Sequence, residues 1–272
     1  MKKIYTLIFV LVFGMVNIQA QELKTTQGNL ATLNGVKLYY EESGEGPPLI
    51  LLHSFGSTSS SWESLIPELA KKNRVIAIDL PGHGKSDYID TTEVYLHKKV
   101  AEYVLEFIDY LNLDSVNVIG ASSGAFIALY MATMKPERTK RIVVIGGQIY
   151  YSQQTRDIIT NCCGKGPDDK AISMHGEEKA AILDRQFYYF RKLYGDPSFT
   201  PDLLATIQAK SLIIHGDNDG IAPMSNAWEM NQYIPKSSLW IIPDGGHLPH
   251  LRPENKEIFI SRIFEFFNGN WD

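Results

Sequence analysis

Cysteine is nearly absent from this chain, and so is any excess of positive charge. The two cysteines, Cys162 and Cys163, are neighbours. Adjacent residues do not easily reach ordinary disulfide geometry, so the pair predicts no disulfide framework. Two cysteines without well-placed histidines make no zinc site either. Lys and Arg number 26 against 31 Asp and Glu, a formal charge of −5 at neutral pH. That mild acidity offers no footprint for nucleic acid or an anionic membrane. Internal repeats and low-complexity tracts are also missing. No apolar run reaches the roughly twenty residues that span a bilayer; the stretch from Ile4 to Val16 holds thirteen mostly apolar residues.

The first residues do have a pattern. Lys2-Lys3, the short apolar run and then Asn17-Ile18-Gln19-Ala20 form the layout of a secretory signal peptide. Residues 1–20 are expected to be removed on export to the periplasm or exterior, with no stable membrane insertion afterwards. Losing Lys2 and Lys3 takes the formal charge from −5 to −7. An uncleaved N-terminal anchor is the alternative.

The remaining chain has the make-up of an ordinary globular domain, and its apolar residues come in two rhythms. Leu49–Leu52, Arg74–Ile78, Val116–Ile119, Arg141–Ile145, Ser211–Ile214 and Leu239–Ile242 are continuous runs suited to strands buried on both faces. Leu30–Glu42 reads as two strands hinged at Asn34-Gly35. Between the runs lie helical stretches: Trp62–Ala70, a stripe of Val100, Val104, Ile108 and Leu111, then Asn226–Gln232 and Glu254–Phe267. This alternation predicts an α/β fold, a mostly parallel sheet covered by helices on both faces. It breaks over residues 151–200, where a helical pattern from Glu177 to Tyr194 is crowded with aromatic residues. That stretch reads as an insertion in a core made of residues 21–150 and 201–272.

The chemistry centres on Gly120-Ala121-Ser122-Ser123-Gly124, with a strand expected before it and a helix after it. A strand turning sharply into a helix at a serine is a nucleophile elbow, and the flanking glycines leave the strained bend uncrowded. A serine hydroxyl needs a base, and the base needs an orienting acid. Both belong in loops after later strands. One such loop holds Asp217 and Asp219, the other His247. Ser, Asp and His then follow in the order this architecture uses.

From about Leu30 onward the chain resembles the α/β-hydrolase superfamily. The resemblance rests on the elbow, on His53-Ser54-Phe55-Gly56 and on Asp79-Leu80-Pro81-Gly82-His83-Gly84-Lys85-Ser86. It also rests on Gly216-x-x-Asp219 with Pro223, and on Gly246-His247 with Pro253. It implies the α/β-hydrolase fold, with residues 151–200 as a short helical lid. Ser122 would be the nucleophile, Asp219 the acid and His247 the base. The backbone N–H groups of Phe55 and Ser123 would form the oxyanion hole. Asp217 is the rival acid, set aside on the family spacing from Gly216. Relatives commonly carry glycine where this chain has Ser54.

Other histidines have plainer readings. His250 sits three residues after His247, but no third metal ligand accompanies the pair. His53 and His83 are expected to bond loop backbone, and His97, His175 and His215 to have no special role. A serine at the elbow excludes the relatives that use an aspartate nucleophile. The loop after the first buried strand also lacks the His-Gly-Gly-Pro-Gly of proline iminopeptidases. The expected activity is hydrolysis of small or medium carboxylic esters, without cofactor or metal. Thioesters, lactones and C–C bonds are the alternatives on the same residues, and a non-catalytic small-molecule receptor is the competing class.

Overall fold

The computed structural model describes residues 28–88 and 94–271. The expected signal segment, residues 1–20, lies outside the described residues. The chain opens with β1 (Gly28–Leu33) and β2 (Val36–Ser43), then β3 (Pro48–Leu52), α1 (Ile66–Leu69) and β4 (Arg74–Ile78). Next come α2 (His97–Tyr110), β5 (Val116–Ala121), α3 (Ser123–Met134) and β6 (Thr139–Ile145). Helices α4 (Gln153–Cys162), α5 (Asp169–His175), α6 (Glu177–Tyr189) and α7 (Pro201–Ala205) follow, and the chain ends with β7 (Lys210–Gly216), α8 (Met224–Tyr233), β8 (Ser237–Ile242) and α9 (Lys256–Phe267).

Among the described residues the strands form one eight-stranded sheet in the order β1-β2-β4-β3-β5-β6-β7-β8. Strands β1 and β2 form a hairpin, and β2 joins β4 antiparallel. All other pairs are parallel. The hairpin turns at Asn34 and Gly35, both at positive φ, as a two-residue turn between twisted strands requires.

The apolar runs alternate between the two faces of the sheet. Ile50, Leu52, Val118, Ile142, Val144 and Ile213 pack with α2, α3 and α8. Leu49, Leu51, Ile119, Val143, Ile145, Leu212 and Ile214 pack with α1 and α9. Helix α3 is buried along nearly its whole length, so it is apolar all round rather than striped.

Three details differ from the sequence reading. The helix expected over Trp62–Ala70 is a 3-10 turn at Ser59–Trp62 and the short α1, which restarts with Pro67 in its first turn. The insertion holds three helices, not one. Ser152 caps α4 by accepting from Thr155 N–H, and Asp168 caps α5 by accepting from Ala171 N–H. Finally, Cys162 and Cys163 are disulfide-bonded. The chain leaves α4 at Cys163 in extended backbone, so the two side chains are not held about 100° apart as they would be inside a helix.

Candidate active site

Four loops at the C-terminal ends of β3, β5, β7 and β8 converge beside the N-terminus of α3. Ser122 joins β5 to α3 with φ 51° and ψ −113°, a region sparsely populated by residues with a side chain. Such strain costs about 1–3 kcal/mol and persists only where the surroundings over-determine it. Ser122 N–H donates to Ile145 O at 2.8 Å, tying the bend to β6. A Cβ on Gly120 would lie 2.2 Å from Gly124 O, and one on Gly124 would lie 2.2 Å from Leu52 O. The elbow closes only because both are glycine.

His247 comes from the loop after β8. Its Nδ1–H donates to Asp219 Oδ2 at 2.8 Å, which leaves Nε2 to accept the Ser122 hydroxyl at 3.0 Å. The other oxygen of Asp219 accepts the N–H groups of Ile221 and Ala222 at 2.8 and 2.9 Å. Burial pushes the Asp219 carboxyl up. The His247 hydrogen bond and charge, with the two N–H groups, outweigh burial and hold it below the usual carboxylate range. The loops carrying the two residues touch directly, Asn218 N–H donating to Gly245 O at 2.9 Å. Asp217 points outward and is exposed. His215 lies 3.9 Å from Asp219, and burial holds its imidazole low against the pull of that carboxylate.

Phe55 sits in the loop after β3. Ser57 N–H donates to Ser54 O at 3.1 Å across a turn with Gly56 at φ +73°, a four-residue turn that needs glycine at its third position. Ser54 therefore stands at the first turn position, where a side chain is tolerated. Its carbonyl also accepts His53 Nδ1–H at 2.8 Å, and His53 Nε2 accepts Leu80 N–H at 2.9 Å. Ser123 is the first residue of α3, so its N–H has no carbonyl four residues earlier within the helix. The structure thus gathers Ser122, Asp219 and His247 in one hydrogen-bonded line beside the loop of Phe55 and the helix start at Ser123. A hydroxyl, an imidazole and a buried carboxylate in that line can generate an alkoxide-like nucleophile.

The insertion packs rings against the loop of Phe55. Phe55 stacks on Phe187 (5.5 Å between centroids) and meets Phe190 and Tyr95 edge-on at 5.0 Å. Tyr151 stacks on Phe190 at 5.5 Å. Of the aromatic residues at 187–194, Phe187 is half-buried against Phe55 and Phe190 is fully buried beneath them, whereas Tyr189 and Tyr194 are exposed. Two cations of the insertion are tied to main-chain oxygens. Arg156, buried, donates to the carbonyls of Tyr151, Phe190, Arg191 and Leu193. Lys179, half-buried, donates to Gly84 O and Ser86 O at 2.9 and 2.8 Å.

The sequence reading missed His97. It is fully buried, with Nε2 at 3.0 Å from Ser123 Oγ and Nδ1 at 3.1 Å from Asp196 Oδ2. The signal was available: His97 falls in phase with Val100, Val104 and Ile108 on the apolar stripe of α2. His250, suggested only as half of a metal pair, is buried against Trp62 with ring centroids 4.9 Å apart. Among the described residues no group of three or more His, Cys, Asp or Glu is placed to hold a metal ion. Nor is any helix among them long and apolar enough to cross a membrane.

Comparison with known proteins gives a consistent setting. The profile of the alpha/beta hydrolase fold family matches residues 47–161 and 167–253. The chain is 27% identical over 264 residues to a 2-hydroxy-6-oxo-6-(2'-aminophenyl)hexa-2,4-dienoic acid hydrolase of Metapseudomonas resinovorans, covering 88% of this chain and 90% of that protein. It is 27% identical over 255 residues to a pimeloyl-[acyl-carrier protein] methyl ester esterase of Nitrosomonas europaea, covering 79% and 94%. The fold superposes on a crystal structure of the meta-cleavage product hydrolase CumD with a TM-score of 0.74 at 23% identity, covering 89% of this chain and 98% of that one.

Proposed function

Because this chain belongs to the alpha/beta hydrolase fold family, we propose that it cleaves a C–C bond beside a ketone through an acyl-enzyme on Ser122. Ser122 Oγ attacks the ketone carbon while His247 Nε2 takes its proton. Asp219 holds the imidazole in the tautomer that can do so. The N–H groups of Phe55 and Ser123 stabilise the oxyanion. The dienol first ketonises, moving its hydroxyl proton to the carbon beside the ketone; as the intermediate then collapses, the C–C electron pair passes into the conjugated enone as a dienolate, which takes the proton held on His247, and water releases the acyl group from Ser122. Residues 151–200 act as a lid over the acyl pocket. The observation that carries this reading is the stacked pair of half-buried rings, Phe55 and Phe187, at the loop after β3, which suits a planar, conjugated acyl group. The dienoic acid hydrolase at 27% identity supports it.

Ester hydrolysis is the second reading, and a specific observation favours it. A dienoate carries a carboxylate, which on entering an apolar pocket needs a cation or several N–H donors. Arg156 and Lys179 of the insertion are already bonded to main-chain carbonyls. An uncharged ester needs no such partner, and the methyl ester esterase relative is in keeping with that. One assay separates the two: 2-hydroxy-6-oxo-6-phenylhexa-2,4-dienoate beside p-nitrophenyl esters of graded acyl length. We expect the dienoate to be turned over with a kcat/KM at least about ten-fold above that for the best ester, a margin of ~1.4 kcal/mol. Ester turnover with an inert dienoate would replace the first reading by the second. Tight binding without turnover of either would point to a receptor.

We also propose that the protein is exported and cut near Ala20, on the basic start and short apolar run at its N-terminus. Mass spectrometry of protein from its native host should find a chain beginning near residue 21. An intact Met1 in a membrane fraction would show an anchor instead.

A further inference from the structure

The 151–200 insertion does more than cover the pocket. It bonds the side chain of one residue assigned above as an oxyanion donor and the residue following the other, each time through a histidine. The first bridge starts at Asp196, whose Oδ2 accepts both the main-chain N–H and the Nδ1–H of His97. With Nδ1 donating, His97 Nε2 accepts the Ser123 hydroxyl at 3.0 Å. Asp196, His97 and Ser123 are all buried, so water does not compete for these bonds. The second bridge starts at His175, the last residue of α5. Its Nδ1 accepts Gly84 N–H at 2.9 Å and its Nε2–H donates to Gly56 O at 3.1 Å. Gly56 follows Phe55 in the turn closed by Ser57 N–H on Ser54 O.

We propose that these two bridges, Asp196–His97–Ser123 and His175–Gly56, make His97, Asp196 and His175 positioning residues that couple seating of the insertion to assembly of the oxyanion hole. The inference rests on the reading of Ser122 as nucleophile with Phe55 and Ser123 as donors. Its physical basis is the cost of what is buried. Removing a carboxylate and an imidazole from water is costly and offset only by well-made bonds, whereas an apolar pair of the same size would pack without that cost. What the polar pair adds is direction. The main-chain N–H of His97 orients the Asp196 carboxylate, that carboxylate holds the His97 ring, and the ring fixes Ser123 Oγ, one residue past the nucleophile. A donor displaced by a few tenths of an ångström weakens the transition state more than the ground state. The effect should therefore appear in the rate of the chemical step and not in binding.

The test needs no knowledge of the natural substrate. A fluorophosphonate probe phosphonylates Ser122 with its P=O oxygen in the oxyanion hole, and saturation kinetics separate kinact from KI. Ser123→Ala, Asp196→Asn and His175→Leu should each lower kinact about 10- to 100-fold, with KI within about three-fold. That is less than the 10²–10³ lost when an oxyanion donor is removed outright. Ser123→Ala combined with Asp196→Asn should be no slower than the slower single variant, since both cut one bridge. His175→Gln, whose amide can still donate to Gly56 O, should recover much of the rate lost in His175→Leu. Unfolding midpoints are taken alongside. Should Asp196→Asn or His175→Leu not fold, Ser123→Ala, the smallest change, decides alone. Folded variants with unchanged kinact, or with the loss entirely in KI, overturn the proposal. Ser122→Ala keeps the two layers apart. Labelling that persists in it overturns the nucleophile assignment, whereas an unlabelled Ser122→Ala beside a normally reactive Ser123→Ala overturns only the bridges.

Discussion

Asp219→Asn should cost about 10⁴-fold in kcat, the penalty known for removing the equivalent acceptor in a serine protease triad, while Asp217→Asn should cost less than about three-fold. The difference follows from the bonds each carboxylate makes. Oδ1 of Asp219 accepts the N–H groups of Ile221 and Ala222, and Oδ2 accepts from His247 Nδ1. In Asp219→Asn the amide oxygen keeps the two loop bonds, because only oxygen can accept them. The NH2 group is then turned toward His247. It offers a donor where the imidazole needs an acceptor, so Nδ1 gives up its hydrogen and Nε2 carries it. An Nε2–H points a donor at Ser122 Oγ and cannot take its proton. The loop stays folded while the base is disarmed.

Asp217 is exposed, and its main-chain N–H, which the substitution retains, donates to Ile242 O at 3.2 Å. The two variants change the same formal charge within one loop, so their ratio removes most of the general electrostatic effect. A ratio of at least about 100 cannot come from one lost turn bond of ~1 kcal/mol. Steady-state kinetics on whichever substrate is turned over, with unfolding midpoints as a control, give that ratio. Equal losses, or the reverse order, would assign the acid to Asp217.

Much of this architecture can be read from residue order because buried parallel strands advertise themselves. Leu49–Leu52 and Ile142–Ile145 are apolar on both faces, as short strands buried inside a parallel sheet are. The elbow glycines are equally legible, since each is forced by a backbone approach near 2.2 Å. The insertion is harder. Helix α4 buries three residues and α5 only His175, so their apolar signal is weak, and their caps, Ser152 and Asp168, could equally start a turn. Asp196 and His97 are 99 residues apart. Nothing local pairs them, although a histidine on the apolar stripe of α2 already needed a buried partner. The bond between Cys162 and Cys163 was concealed for a similar reason. It depends on the chain leaving α4 at that residue, a boundary that propensity alone does not place.

The fold should also be unusually sensitive to mild acid, through groups apart from Ser122, Asp219 and His247. Five of the seven histidines are held below their ordinary range, in each case first by burial. His53 is pushed down to about 4 and His250 to about 3; His83 lies well below its usual value, and His175 and His215 are lowered. The sign follows from proton counting. In the unfolded chain these imidazoles protonate near pH 6.5, whereas in the native state they stay neutral to lower pH. Between the two values the unfolded state binds more protons, so stability falls as pH falls. It is fully present above about pH 6.5 and drains as pH drops toward the native values. At 1.36 kcal/mol per unit, His53 and His250 alone account for losses on the order of several kcal/mol, out of a typical total of about 5–15. The two buried carboxylates Asp196 and Asp219 do not produce this limb. Both are held below their usual range, so the stability they contribute is lost only as pH falls through the unfolded-state value of about 4 and toward the native one. Urea unfolding at intervals from pH 8 to pH 4.5 should therefore show a level midpoint down to about pH 6.5 and a steep fall below it. His250→Phe isolates one contributor. A phenyl ring can keep the stacking on Trp62 and the contact with Phe259, where the centroids lie 4.9 and 5.7 Å from the imidazole, but it cannot take a proton. That variant should match the parent within about 1 kcal/mol at pH 8 and exceed it at pH 5 by at least as much. Parallel curves for the two proteins, or a parent midpoint that stays level to pH 5, would show that these histidines accept protons without unfolding the chain.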